Sequence, residues 1–326
     1  PWRDDPTPYH VWLSEIMLQQ TRVAAVLGYY RRFLEKAPDI AALAALPEDR
    51  LLKLWQGLGY YNRARNLQRA ARVIVEEYGG VFPADYAAVR ALPGVGDYTA
   101  GAVCSIAFGQ AAPAVDGNVL RVYARICGDG GDITAPRMKQ KVTRAVGEII
   151  PLNAAGTFNQ ALMELGATVC LPNGAPLCQR CPAKGFCAAL AQGRVGELPV
   201  KAPKKARRVE KRAVWLIFWE NRVALRRRPD KGLLAGLWEF PNELGDGLLP
   251  PDWGIGACSE EYGGQAKHIF THMEWRMAIR LVRAASGVLP PGWVWAAADE
   301  LEKTYAVPNA FQRAVELAGE HLRGMD

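Results

Sequence analysis

The pattern of apolar and polar positions divides the chain into two parts of different texture. Up to about Arg194, apolar residues recur at spacings of three and four, with Pro and Gly between the runs. This periodicity predicts one helix after another. Further along, EWRMAIRLVR (274–283) alternates apolar and polar residues, which predicts a strand. We therefore predict an all-helical first domain, 1–194, and a smaller α+β second domain, 213–326.

Two more segments complete this prediction. AVWLIFWENRVALRRR (213–228) is rich in β-branched and aromatic residues around Glu220-Asn221, which predicts a β-hairpin, and 308–323 has the pattern of a terminal helix. VGELPVKAPKKARRVEKR (195–212) has two prolines, many charges and no periodicity. It is interpreted as a basic linker.

Composition narrows the class of protein. With 326 residues, 50% of them apolar and 22% charged, the chain is long enough for two globular domains. No apolar run approaches the ~20 residues of a membrane span, and no signal peptide opens the chain. We expect a monomer in a reducing compartment, the bacterial cytoplasm, and because the chain opens at Pro1 we expect an N-terminal segment to have been removed.

The positive charge is unevenly spread. The net charge is +7, with 21 basic against 16 acidic residues in 1–194 and seven against two in 195–212, so the remainder is acidic overall. A basic first part and connector favour a polyanion bound mainly by the first domain.

The string LPGVGDYTAGAVCSIAFG (92–109) places two glycines between helical segments. Such a turn exposes backbone N–H groups at a helix start, which suits a phosphate, and Gly94, Val95 and Gly96 are the candidate donors. A plain corner between two helices is the alternative that spacing alone leaves open, and the helix-hairpin-helix that would form either structure spans about 86–108.

Two carboxylates are candidates for acid and charge chemistry. Asp116 precedes a helical pattern, so it is a good N-cap, and an ionised carboxylate facing a sugar would stabilise an oxocarbenium ion. In SEIMLQQTRV (14–23) helical spacing would place Glu15, Leu18, Gln19 and Arg22 on one face, which is commonly a solvated stripe. The neighbours of Glu15 are apolar, however, so we expect it to be desolvated, with a raised pKa suited to a general acid.

Four of the seven cysteines lie within CLPNGAPLCQRCPAKGFC (170–187). In a reducing compartment four such close thiols favour a metal site over a disulfide. Zinc sites are commonly built from two C-x-x-C pairs, and this run has one, Cys178 and Cys181.

Taken in order, six motifs make the first domain resemble the MutY-type adenine DNA glycosylases of the helix-hairpin-helix DNA glycosylase superfamily. They are SEIMLQQT, WQGLGYYNRARNL, LPGVGDYTAG, AVDGNV, FNQALMELGATVC and the cysteine run. The second domain resembles that family's MutT-like (Nudix-like) C-terminal domain through GLLAGLWEFP and HIFTH. The resemblance implies base excision repair: hydrolysis of the N-glycosidic bond of adenine mispaired with 8-oxoguanine or guanine in duplex DNA.

The resemblance also implies roles for individual residues. Glu15 would protonate adenine, Asp116 would stabilise or attack the sugar, and Asn118 and Tyr98 would orient these groups. Related lyases carry a lysine where this chain has Tyr98, so a monofunctional glycosylase is implied. Residues around the extruded adenine would be Trp2, Arg3, Leu18, Val23 and Glu164; those contacting the partner base would be Gln20, Thr21, Leu58 and Tyr60; and a lesion-reading loop would be Phe270, Thr271 and His272.

For the cysteines, the resemblance implies a [4Fe–4S] cluster held by Cys170, Cys178, Cys181 and Cys187, with zinc as the alternative. The family has six residues between the first two cysteines and this chain has seven. The second domain lacks the arginine- and glutamate-bearing helix that MutT-type hydrolases use to hold magnesium, so we expect no nucleotide hydrolysis.

Two other functions remain open from the sequence. One is excision of thymine or uracil from mispairs by a glycosylase of the same superfamily. The other is a non-catalytic iron–sulfur protein that binds DNA. The presence of both Glu15 and Asp116 favours adenine excision over both.

Overall fold

The structure, a computed structural model, describes residues 1–203, 206–245 and 247–324. The chain divides into two compact units. The first consists of Pro1–Ala45 and Arg65–Lys204, and the second of Leu46–Ala64 and Lys205–Asp326. Within the described residues, no helix is both long enough and apolar enough to cross a membrane.

The first unit is helical, as the sequence predicts. Its helices are α1 (Pro8–Leu18), α2 (Val23–Lys36), α3 (Ile40–Ala45), α5 (Asn62–Tyr78, which begins in the second unit), α6 (Tyr86–Ala91), α7 (Asp97–Phe108), α8 (Gly117–Ile126), α9 (Pro136–Ile149), α10 (Ala155–Glu164) and α11 (Ala188–Ala191). A π-helical turn, Leu165–Val169, extends α10, and two short 3-10 turns, Cys178–Arg180 and Lys184–Phe186, lie in the cysteine run.

Helices α1 and α7 form the centre of this unit. Nearly every residue of α1 from Tyr9 to Met17 is buried, and so is the run from Thr99 to Ser105 in α7. A helix that is buried on all sides has no solvent-exposed face, so a charged residue on it is unusual. Glu15 lies in that position on α1.

The second unit contains a seven-stranded sheet. Its strands are β1 (Arg208–Trp219), β2 (Arg222–Arg227), β3 (Trp238–Glu239), β4 (Asn242–Leu244), β5 (Ala257–Ile269), β6 (Met273–Ala284) and β7 (Trp293–Ala296). The order is β3-β2-β1-β6-β5, with β4 paired to β1 and β7 to β2. The unit also holds helices α4 (Glu48–Trp55), α12 (Ala298–Lys303) and α13 (Gln312–Arg323).

Strand β1 is the central strand and is covered on both faces. It pairs with β6 in parallel and with β2 as an antiparallel hairpin, so the predicted hairpin is confirmed. Val214, Leu216 and Phe218 pack with α13 residues on one face, while Trp215 and Ile217 pack on the other. The α+β fold class is thereby confirmed.

Two boundaries differ from the prediction. Residues 208–212, assigned to the linker, belong to β1, and Leu198 at the other end is buried, with its carbonyl accepting from Arg125 Nε at 2.8 Å. This part of the strand has the composition of a linker because it is rich in charged residues. In the structure, Glu210 forms ion pairs with Arg208 and Arg212 along the strand.

Segment 46–64 also departs from the predicted division, because it belongs to the second unit. Lys53 Nζ donates to the carbonyl of Tyr305 at 2.8 Å, and Gln56 Nε2 donates to the carbonyl of Val307 at 2.8 Å. Helical periodicity predicts α4 but cannot indicate which distant carbonyls accept its hydrogen bonds.

Candidate active site

A single cleft of about 1280 Å³ collects most of the predicted site residues of the first unit. Its walls come from the start of the chain, the end of α1, the turn before α7, the start of α8 and the end of α10. The predicted residues that line it are Trp2, Arg3, Glu15, Leu18, Gln20, Thr21, Val23, Gly94, Gly96, Tyr98, Asp116, Asn118 and Glu164.

Glu15 is the buried acid of this cleft, with 8% of its surface exposed. Burial raises the pKa of Glu15 from 4.5 to about 7; the hydrogen bond from Tyr98 opposes this rise and the charge of Asp116 adds to it. The expectation of a desolvated glutamate is confirmed. A carboxyl group with this pKa is protonated in a large fraction of molecules near neutral pH, as a general acid requires.

Tyr98 fixes one oxygen of that carboxyl group. Its hydroxyl donates to Glu15 Oε2 at 2.5 Å, and burial, followed by the nearby carboxylates, holds the pKa of Tyr98 well above its usual range. The phenol therefore stays neutral and acts as a donor. This leaves Oε1 of Glu15 as the oxygen available to carry a transferable proton.

Asp116 caps helix α8, as predicted. Its Oδ1 accepts from the backbone N–H of Val119 at 2.8 Å, and its Oδ2 accepts from Asn118 Nδ2 at 2.7 Å. Both oxygens are thus oriented by donors on the first turn of the helix. The carboxylate and its helix start line the same cleft as Glu15.

Two buried side chains that were not singled out from the sequence hold this arrangement. Arg121 Nη2 donates to Asn118 Oδ1 at 2.8 Å and to the carbonyl of Gly166 at 2.7 Å, and its Nε donates to the carbonyl of Cys170 at 2.7 Å. Asn159 bonds the backbone of Ala112 and Ala114 just ahead of α8. The sequence signal was a polar residue within an apolar helical face, which does not reveal the partners.

The π-helical turn lies against the same group. A Cβ added at Gly166 would lie 2.5 Å from the Cβ of Asn118, so only glycine allows this approach. The chain of contacts runs from the first cysteine through Arg121 to Asn118 and Asp116.

The turn after α1 differs from the prediction. Helix α1 ends at Leu18, so Gln19 and Arg22 do not share a helical face with Glu15; Gln20 instead adopts φ 58° and Arg22 precedes α2. Gln19, Gln20, Thr21 and Arg22 still line the cleft, as a turn. Arg3 forms an ion pair with Glu164 at 2.8 Å between exposed side chains.

The hairpin before α7 offers two of the three predicted phosphate donors. Gly94 has φ 75°, a conformation that favours glycine, and Gly94 and Gly96 both line the cleft. Val95 differs: its side chain is buried and its N–H donates to the carbonyl of Leu92 at 3.0 Å. The Val95 N–H is occupied by this turn and is not available to a phosphate.

Of the four residues expected to contact the partner base, Gln20 and Thr21 lie in the first unit, whereas Leu58 and Tyr60 lie in the second. Tyr60 is half exposed with φ 48°, whereas Leu58 is buried. The Tyr60 hydroxyl and Thr271 Oγ1 are 3.0 Å apart. Thr271 and His272 form the exposed turn between β5 and β6, closed by the hydrogen bond from Phe270 N to the carbonyl of Met273 at 2.8 Å.

The four cysteines of the run line one cavity, together with Arg125 and apolar residues of α8 and α11. Arg125 Nη1 lies 3.3 Å from Cys170 Sγ, where it would stabilise a thiolate. Among the described residues, no three His, Cys, Asp or Glu side chains converge closely enough to hold a single metal ion. Four thiols around a common space with a cationic neighbour suit a group larger than one ion.

Comparison with known proteins agrees with this geometry. Residues 13–148 match the HhH-GPD superfamily base excision DNA repair proteins, and residues 213–317 match the NUDIX domain. The chain is 34% identical to the adenine DNA glycosylase of Mus musculus, over 99% of this chain and 76% of the mouse protein. The chain belongs to the adenine DNA glycosylase family. It is also 36% identical to the adenine DNA glycosylase of Buchnera aphidicola subsp. Schizaphis graminum, over 74% of this chain and 70% of that protein.

Part of this chain also resembles solved structures of other DNA repair enzymes. A thermostable thymine-DNA glycosylase aligns with a TM-score of 0.54 and 31% identity, over 59% of this chain and 88% of that one. Endonuclease III in a non-covalent DNA complex aligns with a TM-score of 0.50 and 28% identity, over 57% and 86%. These similarities support DNA as the ligand of a glycosylase fold.

The NUDIX part of this adenine DNA glycosylase differs from a hydrolase at the expected metal site. In the described residues between 240 and 269, which omit 246, the chain forms β4, one 3-10 turn and β5. Glu260 is in β5 and pairs with Arg280 at 2.6 Å. The glutamates are therefore on a strand, one of them neutralised, rather than on a helix that faces a pyrophosphate.

Proposed function

We propose that the chain hydrolyses the N-glycosidic bond of adenine opposite 8-oxoguanine, or guanine, in duplex DNA. The observation that carries this proposal is the buried Glu15, with a pKa of about 7, in one cleft with the oriented carboxylate of Asp116. Adenine within a duplex cannot reach a buried carboxyl group, so the nucleotide must be extruded into the cleft. Extrusion costs a few kcal/mol, and a mispair reduces that cost.

The two carboxyl groups would divide the chemistry. Adenine leaves poorly as an anion, so Glu15 would give its proton to a ring nitrogen, and the base would leave neutral. Asp116 would stabilise the cationic sugar. Water would then add to the sugar carbon and return a proton to Glu15, which restores the acid for the next cycle.

Tyr98 supports a monofunctional reaction. A lysine at this position would attack the sugar and cut the strand, whereas the neutral Tyr98 phenol is committed to Glu15. We expect adenine to be released with the strand intact until hot alkali is added. Strand cleavage without alkali, at the rate of base release, would contradict this part of the proposal.

Residues of the second unit would contribute to recognition of the partner base. The hydroxyls of Tyr60 and Thr271 are already paired, and both side chains are exposed. An aromatic side chain that enters the duplex can replace the stacking lost on extrusion. A threonine hydroxyl can accept from the N7–H of 8-oxoguanine, a donor that guanine lacks.

The cysteine cavity would hold a [4Fe–4S] cluster. A single zinc ion needs ligands that converge about 2.3 Å from one point, which the described residues do not provide, whereas a cluster takes one thiolate per iron atom. Bound there, the cluster would supply a rigid support for the loop of 170–187. Iron and sulfide analysis of the purified protein, with zinc measured in parallel, distinguishes the two groups.

The decisive experiment is single-turnover base release from a duplex with adenine opposite 8-oxoguanine. Glu15→Gln should abolish release and retain DNA binding, while Glu35→Gln, an exposed glutamate on α2, should behave as wild type. Unchanged release by Glu15→Gln would refute the role of the acid.

Thymine excision is the second candidate, because a structurally similar thymine-DNA glycosylase is 31% identical over 59% of this chain. A duplex with thymine opposite guanine tests it directly. Release of thymine in the absence of adenine release would replace the proposed substrate. Binding without release of either base would instead favour a non-catalytic DNA-binding protein.

A further inference from the structure

The cleft is lined by three positively charged side chains, Arg3, Arg22 and Lys139. Arg3 is already engaged by Glu164 at 2.8 Å. Lys139 comes from the first turns of α9 and is half-buried, and in the described parts of the chain it forms no ion pair. Its ammonium group is therefore available to a ligand that enters the cleft.

Lys139 lies beside the hairpin that precedes α7. Its charge contributes to holding the pKa of Asp97 below the usual range, although the main cause is the hydrogen bond from Arg90. Asp97 directly follows Gly96, and Arg90 Nε contacts its Oδ1 at 2.6 Å while Arg90 Nη1 donates to the carbonyl of Val95 at 3.1 Å. Arg90 thus neutralises Asp97, and Lys139 is not needed for that purpose.

Lys139 is also poorly placed to stabilise its own helix. The first turn of α9 has no acidic residue, and its N-cap, Ala135, provides no side-chain hydrogen bond. A cation near the positive end of a helix dipole is unfavourable. The charge of Lys139 therefore does not stabilise the start of α9, and it lies near Asp97, directly after the hairpin.

We propose that Lys139 binds a phosphate of the DNA strand whose nucleotide enters the cleft, next to the phosphate held by the hairpin at Gly94 and Gly96. This inference rests on the proposed function for its ligand. The backbone N–H groups of the hairpin supply directed hydrogen bonds, and the lysine supplies a full charge on a flexible stem. Together they hold the strand on both sides of the extruded nucleotide.

The test is the salt dependence of binding to a duplex with a tetrahydrofuran abasic analogue opposite 8-oxoguanine. Each phosphate contact contributes about 0.9 to the slope of log K against log salt. Lys139→Gln should lower the magnitude of that slope by about one. The ratio of the wild-type to the variant binding constant should therefore fall about threefold between 50 and 200 mM salt. Lys139→Arg should restore the wild-type slope.

The matched control is Arg144→Gln, which removes the same charge from an exposed position of α9 outside the cleft. Its slope should stay at the wild-type value, because Arg144 does not line the cleft in which the phosphate would lie. An unchanged slope for Lys139→Gln, or an equal change for Arg144→Gln, would overturn the proposal.

The rate of adenine release at saturating duplex separates this inference from the proposed function. Arg144→Gln should keep the wild-type rate, because its side chain lies outside the cleft. If wild type releases no adenine, the proposed function fails, yet the slopes still report on Lys139. Thermal unfolding of both variants checks that neither change acts through folding.

Discussion

Ionisation of Glu15 works against folding. Its pKa is 4.5 when unfolded and about 7 in the folded protein, so the folded state binds more protons within that window. Stability therefore falls as pH rises from about 4.5 to 7 and stays low above it. The shift corresponds to about 3 kcal/mol, because one pKa unit is worth about 1.4 kcal/mol.

Glu15→Gln, which cannot ionise, should remove this penalty. We expect it to raise the free energy of unfolding by about 3 kcal/mol at pH 8 and by less than about 1 kcal/mol at pH 5. Urea unfolding at the two pH values measures the difference. A gain that does not depend on pH would show that Glu15 is not desolvated.

The rate of base release should depend on the same ionisation of Glu15. Glu15 acts in its protonated form, so the single-turnover rate should be level below pH 7 and fall above it. Because the Tyr98 hydrogen bond lowers this pKa, Tyr98→Phe should move the fall to higher pH.

Tyr78→Phe, which removes a hydroxyl from an exposed tyrosine of α5, serves as the control for that profile. Its pH profile should coincide with the wild-type profile. A shift in the opposite direction for Tyr98→Phe would mean that the phenol does not stabilise the carboxylate.

The burial of an individual residue can be predicted where its neighbours in the sequence are apolar. Glu15 lies among apolar residues of one helix, so its burial and raised pKa follow from local sequence. Arg121 could not be predicted, because its acceptors, Asn118 Oδ1 and the carbonyls of Gly166 and Cys170, include groups up to 49 positions away. Periodicity carries no information about such pairings.

At the scale of elements, the π-helical turn of Leu165–Val169 is sensitive to substitution, because Gly166 packs closely against Asn118. Gly166→Ala would bring a methyl group within 2.5 Å of the Asn118 Cβ. We expect a loss of about 1 to 3 kcal/mol in stability, as for other overpacked sites. We also expect at least tenfold slower base release, because displacement of Asn118 removes a hydrogen bond from Asp116.

Gly196→Ala is the matched control, since an added Cβ there has open space. It should leave both stability and rate near wild type. Equal effects of the two substitutions would indicate that the glycine at 166 is not a close contact.

Element existence was easier to predict than element ends. The helices and the β1–β2 hairpin follow from apolar spacing, but α1 stops at Leu18 and β1 starts at Arg208. Gln20 leaves the helical conformation with a positive φ, which its residue type does not favour, and the charged start of β1 is stabilised by pairing with β6. The start of β1 is therefore set by a tertiary contact, which a local pattern does not contain.

For the whole molecule, the division into units predicts which parts open together. Gln56→Ala removes the hydrogen bond to the carbonyl of Val307 and should cost about 1 kcal/mol. Hydrogen exchange should then increase in both α4 and 301–307, while α1 and α8 keep their protection. Arg50→Ala, an exposed change on the same helix, should leave α4 protected.

The discontinuity of the second unit has a consequence for synthesis on the ribosome. The partners of Lys53 and Gln56 lie 252 and 251 positions further along the chain. At ~5–20 residues per second the ribosome needs roughly 10 to 50 s to deliver them. The first unit has all of its residues once position 204 has been translated. Segment 46–64 still lacks the carbonyl groups that accept its hydrogen bonds until 305–307 have been translated. We expect stalled nascent chains that end before residue 300 to be cleaved by protease within 46–64, and full-length chains to resist.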